Sequence, residues 1–238
     1  MKFAGNFQLH IISCLFIFAV FLIPMTFSEI KGSGISQSVY PINSKPYGLT
    51  YGEWSAKWWQ WALSIPTKDN PVADETGEKC AVGQNDPNVW FLAGTGGGKV
   101  TRACTIPAGK AIFFPPINVE CDYLSLDLKT ESDLRSCAKA DQDKATNLQA
   151  TVDGIAIPDL KMYRVQSPLF NVTIPKDNVI GSPPGTTQAV SDGFWILLKP
   201  LPVGKHQIHL SGSLVDFTAT GPLNFISDAK YNITITNA

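Results

Sequence analysis

Gly193–Leu210 reads GFWILLKPLPVGKHQIHL and points most directly to the class of fold. It begins with an apolar run over Gly193–Leu198 and ends with an alternating run over His206–Leu210, and these patterns are typical of a buried and a half-buried strand. Between them, Pro202 is followed two residues later by Gly204, which fits a type I turn closed by a left-handed glycine. The stretch therefore predicts two strands joined by a tight turn.

The same turn chemistry recurs along the chain. Pro107-Ala108-Gly109-Lys110 leads into the apolar run Ala111–Phe114, and Gly94–Gly98 separates two strand patterns and predicts a hairpin. Further strands are predicted at Ala150–Val152 and Ile155–Ile157 on either side of Asp153-Gly154, and at Met162–Val165, Leu169–Ile174 and Tyr231–Thr236. So many short strands favour a mainly β fold, a jelly-roll or Ig-like β-sandwich with two inserted α-helices.

The first inserted helix is rich in tryptophan. Thr50 and Glu53 have the spacing of a capping box, which predicts a helix over 51–65 that ends before Pro66. Trp54, Trp58 and Trp61 repeat at helical spacing, so they form one stripe. A bulky apolar stripe of this kind usually faces a core, and we expect it to close an open face of the sandwich.

The second helix is predicted near 131–149. Thr130 and Asp133 have a capping spacing, and Leu134, Ala138, Ala145 and Leu148 recur at roughly helical intervals.

The N-terminus differs from the rest of the chain. Residues 1–28 contain Lys2, a long apolar run and small residues at the end, and they predict a signal peptide cleaved after Ser28. An uncleaved membrane anchor is the alternative, because the run is close to the ~20 residues needed to span a bilayer. Residues 29–48 are rich in Gly, Ser and Pro and predict a flexible linker or arm. Residues 49–238 are then predicted to form a single β-sandwich domain.

Four cysteines remain after the leader: Cys80, Cys104, Cys121 and Cys137. An even number in an exported chain predicts two disulfides, and sequential pairing is favoured because it closes the shortest loops. A zinc site is disfavoured because zinc ligands usually come in close pairs. The sequence thus predicts a secreted or cell-surface location.

Asn171-Val172-Thr173 and Asn232-Ile233-Thr234 are N-glycosylation sequons. In each, the asparagine alternates with apolar residues and is expected to face solvent, which suits a glycoprotein. The alternative is that both are simply polar positions of two strands.

The charge pattern excludes one class of partner. The chain has 19 basic and 20 acidic residues, a net charge of -1, which gives no electrostatic reason to expect nucleic acid or an anionic membrane as partner. A membrane contact is expected only through the N-terminal segment, should it stay attached.

Glu120 and Asp122 are the weak catalytic candidates. At i and i+2 their carboxylates share one face if a strand continues through them, and Asp127 lies nearby. Paired carboxylates serve glycoside hydrolysis or bind calcium, whereas carboxylates in a loop are usually just solvated. The sequence contains neither HExxH nor GxSxG, so we predict no cofactor and no metal. His206 and His209, three apart on a strand, are not placed to share one.

Ligand binding is predicted at aromatic residues. Exposed Trp and Tyr rings stack on sugars, combining an apolar face with hydrogen bonds at the edge. Trp59 lies off the helical stripe, and with Tyr51, Lys57 and Trp90 it is the best candidate for such a platform. A Trp-rich helix lying at a membrane interface is an alternative.

YGEWSAKWWQW at 51–61 and DGFWILLKPLPVGKHQIHLSGS at 192–213 carry a resemblance. The chain resembles secreted microbial proteins with a Trp-rich YGEWxxxWWQW segment, a family of uncharacterised activity. The resemblance covers most of the mature chain and implies neither an activity nor catalytic residues.

Three functional hypotheses follow. The leading one is a non-enzymatic extracytoplasmic binding or surface module that recognises carbohydrate, or another component of the cell envelope, through aromatic residues. The second is a secreted hydrolase or metal-dependent enzyme using Glu120 and Asp122. The third is a structural protein of the cell envelope, which predicts self-association and no ligand pocket.

Overall fold

A computed structural model describes residues 38–218 and 221–237 of the chain. The predicted signal peptide and the first part of the predicted arm lie outside these residues. Within them, no helix is both long and apolar enough to cross a membrane.

The described residues form two helices and ten strands. Helix α1 spans Tyr51–Ser64 and α2 spans Glu131–Gln142. The strands are β1 (Val89–Phe91), β2 (Gly98–Pro107), β3 (Ala111–Asp122), β4 (Ala145–Val152), β5 (Ile155–Ala156), β6 (Arg164–Gln166), β7 (Phe170–Ile174), β8 (Gly185–Leu198), β9 (Gly204–Thr218) and β10 (Gly221–Thr236).

The strands assemble into two sheets of five. Sheet A has the order β1-β3-β8-β6, with β7 also paired to β8, and sheet B has the order β2-β10-β9-β4-β5. Most neighbours are antiparallel, but β1 with β3 and β2 with β10 are parallel. The predicted mainly β sandwich with two helices is confirmed.

The two faces of sheet A are both covered, which makes the centre of the molecule three layers deep. On one face, Ile112, Phe114 and Ile196 pack against sheet B residues such as Ile208 and Ile233. The opposite face carries the aromatic residues that α1 covers. Strand β8 is therefore buried almost along its whole length and shows little of the alternation that marks a half-exposed strand.

Helix α1 forms as its sequence predicts. The Thr50 side chain accepts from the Glu53 N–H, and the Glu53 carboxylate accepts from the Thr50 N–H. Trp54, Trp58 and Trp61 are all buried against sheet A. The stripe faces the core, as expected.

Helix α2 is shorter than predicted. Leu134 and Ala138 are buried against Cys121 and Val190, but the helix ends at Gln142. Residues 145–149 belong to β4 instead, with a bulge at Asn147, whose φ of 52° breaks the regular pairing. Pairing with β9 overrides the helical spacing of Ala145 and Leu148, because the edge of β9 supplies hydrogen bonds that an isolated turn of helix lacks.

The turn predicted at Asp153-Gly154 does join two antiparallel strands, β4 and β5, but the hairpin predicted at the glycine loop is wrong. Strand β1 lies in sheet A and β2 in sheet B, so the glycine loop between them crosses from one sheet to the other. The turns at Pro107–Lys110 and Pro202–Lys205 also connect the two sheets. Gly109 does adopt the predicted left-handed conformation (φ 87°). The same Pro and Gly residues suit a turn between paired strands of one sheet and a turn between strands of two sheets. The sequence alone therefore did not distinguish the two.

The flexible arm predicted over 29–48 does not extend through 38–48. Val39 is buried in the sandwich core and forms a bridge with Leu198, and the Tyr40 N–H donates to the Leu197 carbonyl. The Trp54 indole N–H donates to the Pro46 carbonyl and ties this segment to α1. Backbone pairing holds the segment in place despite its loop-like composition.

Both predicted disulfides form with sequential pairing, Cys80–Cys104 and Cys121–Cys137. The first ties the loop before β1 to β2, and the second ties β3 to α2. Two such bonds indicate folding outside the reducing cytosol.

Candidate functional site

Two residues of the predicted aromatic platform are buried. Tyr51 lies between α1 and sheet A, and its hydroxyl donates to the Tyr40 carbonyl. Trp90 faces the opposite way, into the core between the two sheets. Neither ring is open to a ligand, and the prediction that they belong to an exposed platform is corrected. All three residues of β1 are buried, so its sequence does not alternate between apolar and polar residues. Without that alternation, the sequence does not indicate which face of sheet A Trp90 occupies.

Trp59 and Lys57 lie on different surfaces of α1. Trp59 is half-buried, stands edge-to-face against Trp58 with ring centroids 5.1 Å apart, and lines a cleft. Lys57 is exposed and lines a separate groove beside Trp61. Of the four predicted platform residues, only Trp59 reaches the cleft.

The cleft beside Trp59 is the candidate site. Its volume is about 230 Å³, and it lies at the edge of β3 between α1, the loop after β1 and strand β10. Apolar side chains dominate its wall, and the polar groups are few. Its lining residues are Trp58, Trp59, Ala62, Leu63, Val72, Gly94, Thr95, Gly96, Ile117, Asn118, Val179, Ile180, Phe225 and Ser227.

Three bonded tryptophans fix the helical wall of the cleft. The indole N–H groups of Trp54, Trp58 and Trp61 donate to the carbonyls of Pro46, Leu92 and Val82. Below them Phe113 and Trp195 stack in parallel, with centroids 5.0 Å apart. Of these rings only Trp58 lines the cleft, and it loses little conformational entropy when a ligand binds because it is already held in place.

The glycine loop forms the opposite wall and is equally fixed. The Thr95 N–H donates to Ser227 Oγ at 2.9 Å, and Arg102 donates to the carbonyls of Ala93 and Gly94. A Cβ on Gly94 would lie 2.6 Å from Ser227 Oγ, so a larger residue here would force Ser227 to turn and give up its bond to Thr95.

A bulge in β3 determines which side chains face α1. The register between β3 and β8 shifts at Pro115-Pro116, between Phe114 and Ile117. Before the bulge Phe113 faces α1; after it, Asn118 and Glu120 do. Because proline has no N–H, it is tolerated at such a bulge. The sequence suggested a loop here, whereas the strand continues to Asp122.

Asp122 is a structural residue of the turn that follows β3. It is wholly buried, and its Oδ1 accepts from the N–H groups of Leu124 and Ser125 at 2.6 and 2.8 Å. Its Oδ2 accepts from the Ser125 hydroxyl. A carboxylate so fully engaged is a poor nucleophile. Asp127, the third acidic candidate, is exposed and pairs with Lys129.

Glu120 shares the α1 face with Asp122, as predicted, but its environment differs. The residue as a whole is half-buried, whereas its Oε2 atom is wholly buried and has no hydrogen-bond partner among the described residues. Burial, together with the smaller effect of the nearby charge of Asp122, raises the pKa of the Glu120 carboxyl from 4.5 to about 8. Glu120 is therefore protonated at neutral pH.

Sequence reasoning missed Asn118 and Trp195. Asn118 lines the cleft, two residues before Glu120 on the same face, and Trp195 lies beneath α1. The i, i+2 spacing of Asn118 and Glu120 was the available signal. The position of Trp195 depends on the pairing of β8 with β3 and leaves no local trace.

The remaining predicted residues lie elsewhere. His206 and His209 each bond a carboxylate, Asp153 and Asp228, on sheet B. Cys121, Cys137 and Asp141 lie close enough to surround a metal ion, but both sulfurs are committed to the disulfide. The sequon residues Asn171 and Asn232 are both exposed, as their strand patterns predict.

Comparison with known proteins returned no match: neither a family model, nor a curated protein, nor a solved structure is similar to this chain. The function is therefore inferred from the geometry of the site.

Proposed function

We propose that this chain is an extracytoplasmic binding module that takes a sugar ring of a glycan in the cleft beside Trp59. The observation that carries the proposal is the cleft itself, whose aromatic wall contains the hydrogen-bonded Trp58 and the half-buried Trp59. Its volume, about 230 Å³, is below the ~300–1,000 Å³ of pockets for drug-sized ligands. An occupant of one ring is the appropriate size.

The lining suits the two kinds of surface that a sugar presents. A pyranose has an apolar face, which stacks on an indole ring, and hydroxyl groups around its edge. Trp59 and Phe225 provide aromatic surface, and Thr95, Asn118 and Ser227 are the polar residues of the same lining.

Two features support the extracytoplasmic part of the proposal. The paired disulfides fit an oxidising compartment, and the first 28 residues have the composition of a signal peptide. N-terminal sequencing of the exported protein tests secretion, and a mature chain that begins near residue 29 is the expected result. Glycans on Asn171 and Asn232 are expected only in a host that glycosylates sequons.

The test of binding is a glycan array probed with the oxidised protein, followed by calorimetry on the glycans that bind. Trp59→Ala should weaken binding about tenfold or more, because it removes the stacking surface. Lys57→Ala is the matched control: it lies two residues away on the same helix, lines a different groove, and should leave the affinity within about twofold.

Two other results would contradict the proposal. Equal affinity of the Trp59→Ala variant and the wild type would remove the cleft as the site. Absence of all glycan binding, together with association of the chain with itself at rising concentration in light scattering, would favour the structural-protein hypothesis instead.

A further inference from the structure

Unpaired polar atoms are concentrated behind the cleft. Within the described residues, eight side-chain nitrogen and oxygen atoms are wholly buried and have no hydrogen-bond partner in the protein. Four of the eight belong to residues on the α1 side of sheet A: Trp59 Nε1, Asn118 Nδ2, Glu120 Oε2 and Trp195 Nε1. We call these four residues the inner polar cluster.

Strand register brings the members of the inner polar cluster together. Asn118 is paired with Gly193, and Glu120 is paired with Ser191. A Cβ on Gly193 would lie 2.7 Å from both the Asn118 Cβ and the Trp195 Nε1. The side chains of Asn118 and Trp195 therefore both pack against Gly193, in the space that a larger side chain would fill.

Helix α1 packs over the part of sheet A that carries the inner polar cluster. Ser55 Oγ lies 3.2 Å from Ser191 Oγ, which fixes the helix over the position of Glu120. Trp59 is one helical turn beyond Ser55 and lies on the same side of the helix. The cluster is therefore bounded by α1, β3 and β8, and Trp59 and Asn118 also line the cleft.

Leaving these four buried polar atoms without partners destabilises the protein when no ligand is bound. Each buried polar group without a partner carries the full cost of its lost hydration, and native proteins leave few such groups. A cluster of four behind a cleft is therefore best explained by hydrogen-bonding groups, of water or of a ligand, that enter and pair with them.

The chemistry of the cluster selects a neutral hydroxyl group. Three members offer N–H donors, which accommodate an acceptor oxygen and repel a cation. The buried carboxylate of Asp122 nearby disfavours an anion. A hydroxyl accepts from the N–H donors and can also donate to, or accept from, the protonated Glu120 carboxyl, so it pairs with both kinds of group.

We propose that the cleft continues inward on binding, and that Asn118, Glu120 and Trp195 then hydrogen-bond the hydroxyl groups of a neutral sugar, with the Trp59 side chain turning aside to admit them. This inference rests on the proposed function and names the chemical class of the ligand. Some side chain of the cleft wall has to move, because the four polar atoms are wholly covered in the present arrangement. Trp59 is proposed because it lines the cleft and is itself one of the four.

Indole N–H signals in ¹H–¹⁵N NMR spectra test the proposal directly. The probes are the neutral methyl glycosides of glucose, galactose and mannose, with glucuronic acid and glucosamine as charged counterparts. A neutral glycoside should shift the indole signals of both Trp59 and Trp195 downfield as they become bonded, and the charged sugars should bind at least tenfold more weakly. Trp90 is an internal control: its indole is also unpaired in the described protein, but it faces the sandwich core, so its signal should not move.

Variants separate recognition from folding. Glu120→Met and Asn118→Leu replace an unpaired polar group with an apolar one of similar size, so both variants should be at least as stable as the wild type in urea. Both should nevertheless weaken glycoside binding about tenfold. This combination, stability kept and binding lost, is not expected of residues whose role is only structural.

Each outcome has a distinct meaning. Binding that shifts Trp59 but leaves Trp195 unmoved, with full affinity in Glu120→Met, would overturn the inner polar cluster and leave the cleft proposal standing. Equal binding of a charged sugar would overturn the neutral-ligand assignment. Failure of every probe and of the glycan array would remove the proposed function, and this inference with it.

Discussion

Arg102 on β2 and Tyr231 on β10 are directly paired across two parallel strands, and Arg102 Nη1 donates to the Tyr231 hydroxyl at 2.6 Å. Both side chains are almost completely buried. The guanidinium also donates to the carbonyls of Val72, Asp74, Ala93 and Gly94. One side chain thus joins the loop before β1 and the loop after it to sheet B, and it holds the wall of the cleft.

Arg102→Met should destabilise the fold by about 3 kcal/mol or more in urea unfolding, because several buried carbonyls lose their donor. Tyr231→Phe should cost about 1–2 kcal/mol, since it removes one hydroxyl that bonds Arg102 and Ala93. Lys99→Met, on the same strand but exposed, should stay within about 0.5 kcal/mol of the wild type. A small effect of Arg102→Met would show that its hydrogen bonds are replaceable.

Glu120 should make the fold less stable as the pH rises. Its pKa is about 8 in the folded protein and near the ordinary 4.5 when the chain unfolds. Between these values the folded state binds the extra proton, so the free energy of unfolding falls with rising pH across this window, by on the order of 3 kcal/mol. Glu120→Gln is neutral throughout and should remove this part of the dependence. Urea unfolding at pH 5 and pH 8 measures the difference between the two proteins, and parallel curves would contradict the buried, protonated state of Glu120.

Features that depend on local sequence were predictable. The capping box of Thr50 and Glu53, the buried stripe of α1 and the left-handed Gly109 each require information from only a few neighbouring residues. The disulfide pairing also followed from the spacing of four cysteines.

Features that depend on long-range pairing were not predictable. The side on which Trp90 lies is set by the parallel pairing of β1 with β3, and the side on which Glu120 lies is set by the bulge at Pro115-Pro116. The inner polar cluster needs both the register of β8 and the position of α1. No single stretch of sequence contains that information, so the candidate site was predicted only at Trp59 and Glu120.

Gly77 and Gly109 provide a matched test of close packing. Both have a positive φ, 95° and 87°, so alanine at either position bears the ~1–2 kcal/mol cost of the left-handed conformation. A Cβ on Gly77 would also lie 2.0 Å from the Ala103 carbonyl oxygen, whereas nothing lies within 4 Å of one on Gly109. Gly77→Ala should therefore lower the midpoint of thermal unfolding clearly more than Gly109→Ala does. An equal fall in the unfolding midpoint of both variants would contradict this. It would mean that the loop that contains Gly77 can move away from Ala103 on β2 without loss of stability.

The Cys121–Cys137 disulfide should stabilise α2 in particular. It closes a loop with a sequence separation of 16, and a loop of that length is worth about 3 kcal/mol in the chain-entropy model. Replacing both cysteines with alanine should lower the free energy of unfolding by about this amount. Because α2 buries only a small apolar face, through Leu134 and Ala138, its amide protons should also lose protection from exchange before those of β10.

The double variant at Cys80 and Cys104 is the control, because that bond closes a loop of similar length, with a sequence separation of 24. Its global cost should be similar, yet α2 should keep its protection, since the bond lies at the loop before β1 and leaves the contact of α2 with Val190 in place. Loss of protection in α2 in both variants would show that the helix opens only with the whole domain. Loss in neither would show that its packing, without the disulfide, is enough to hold it against β3 and β8.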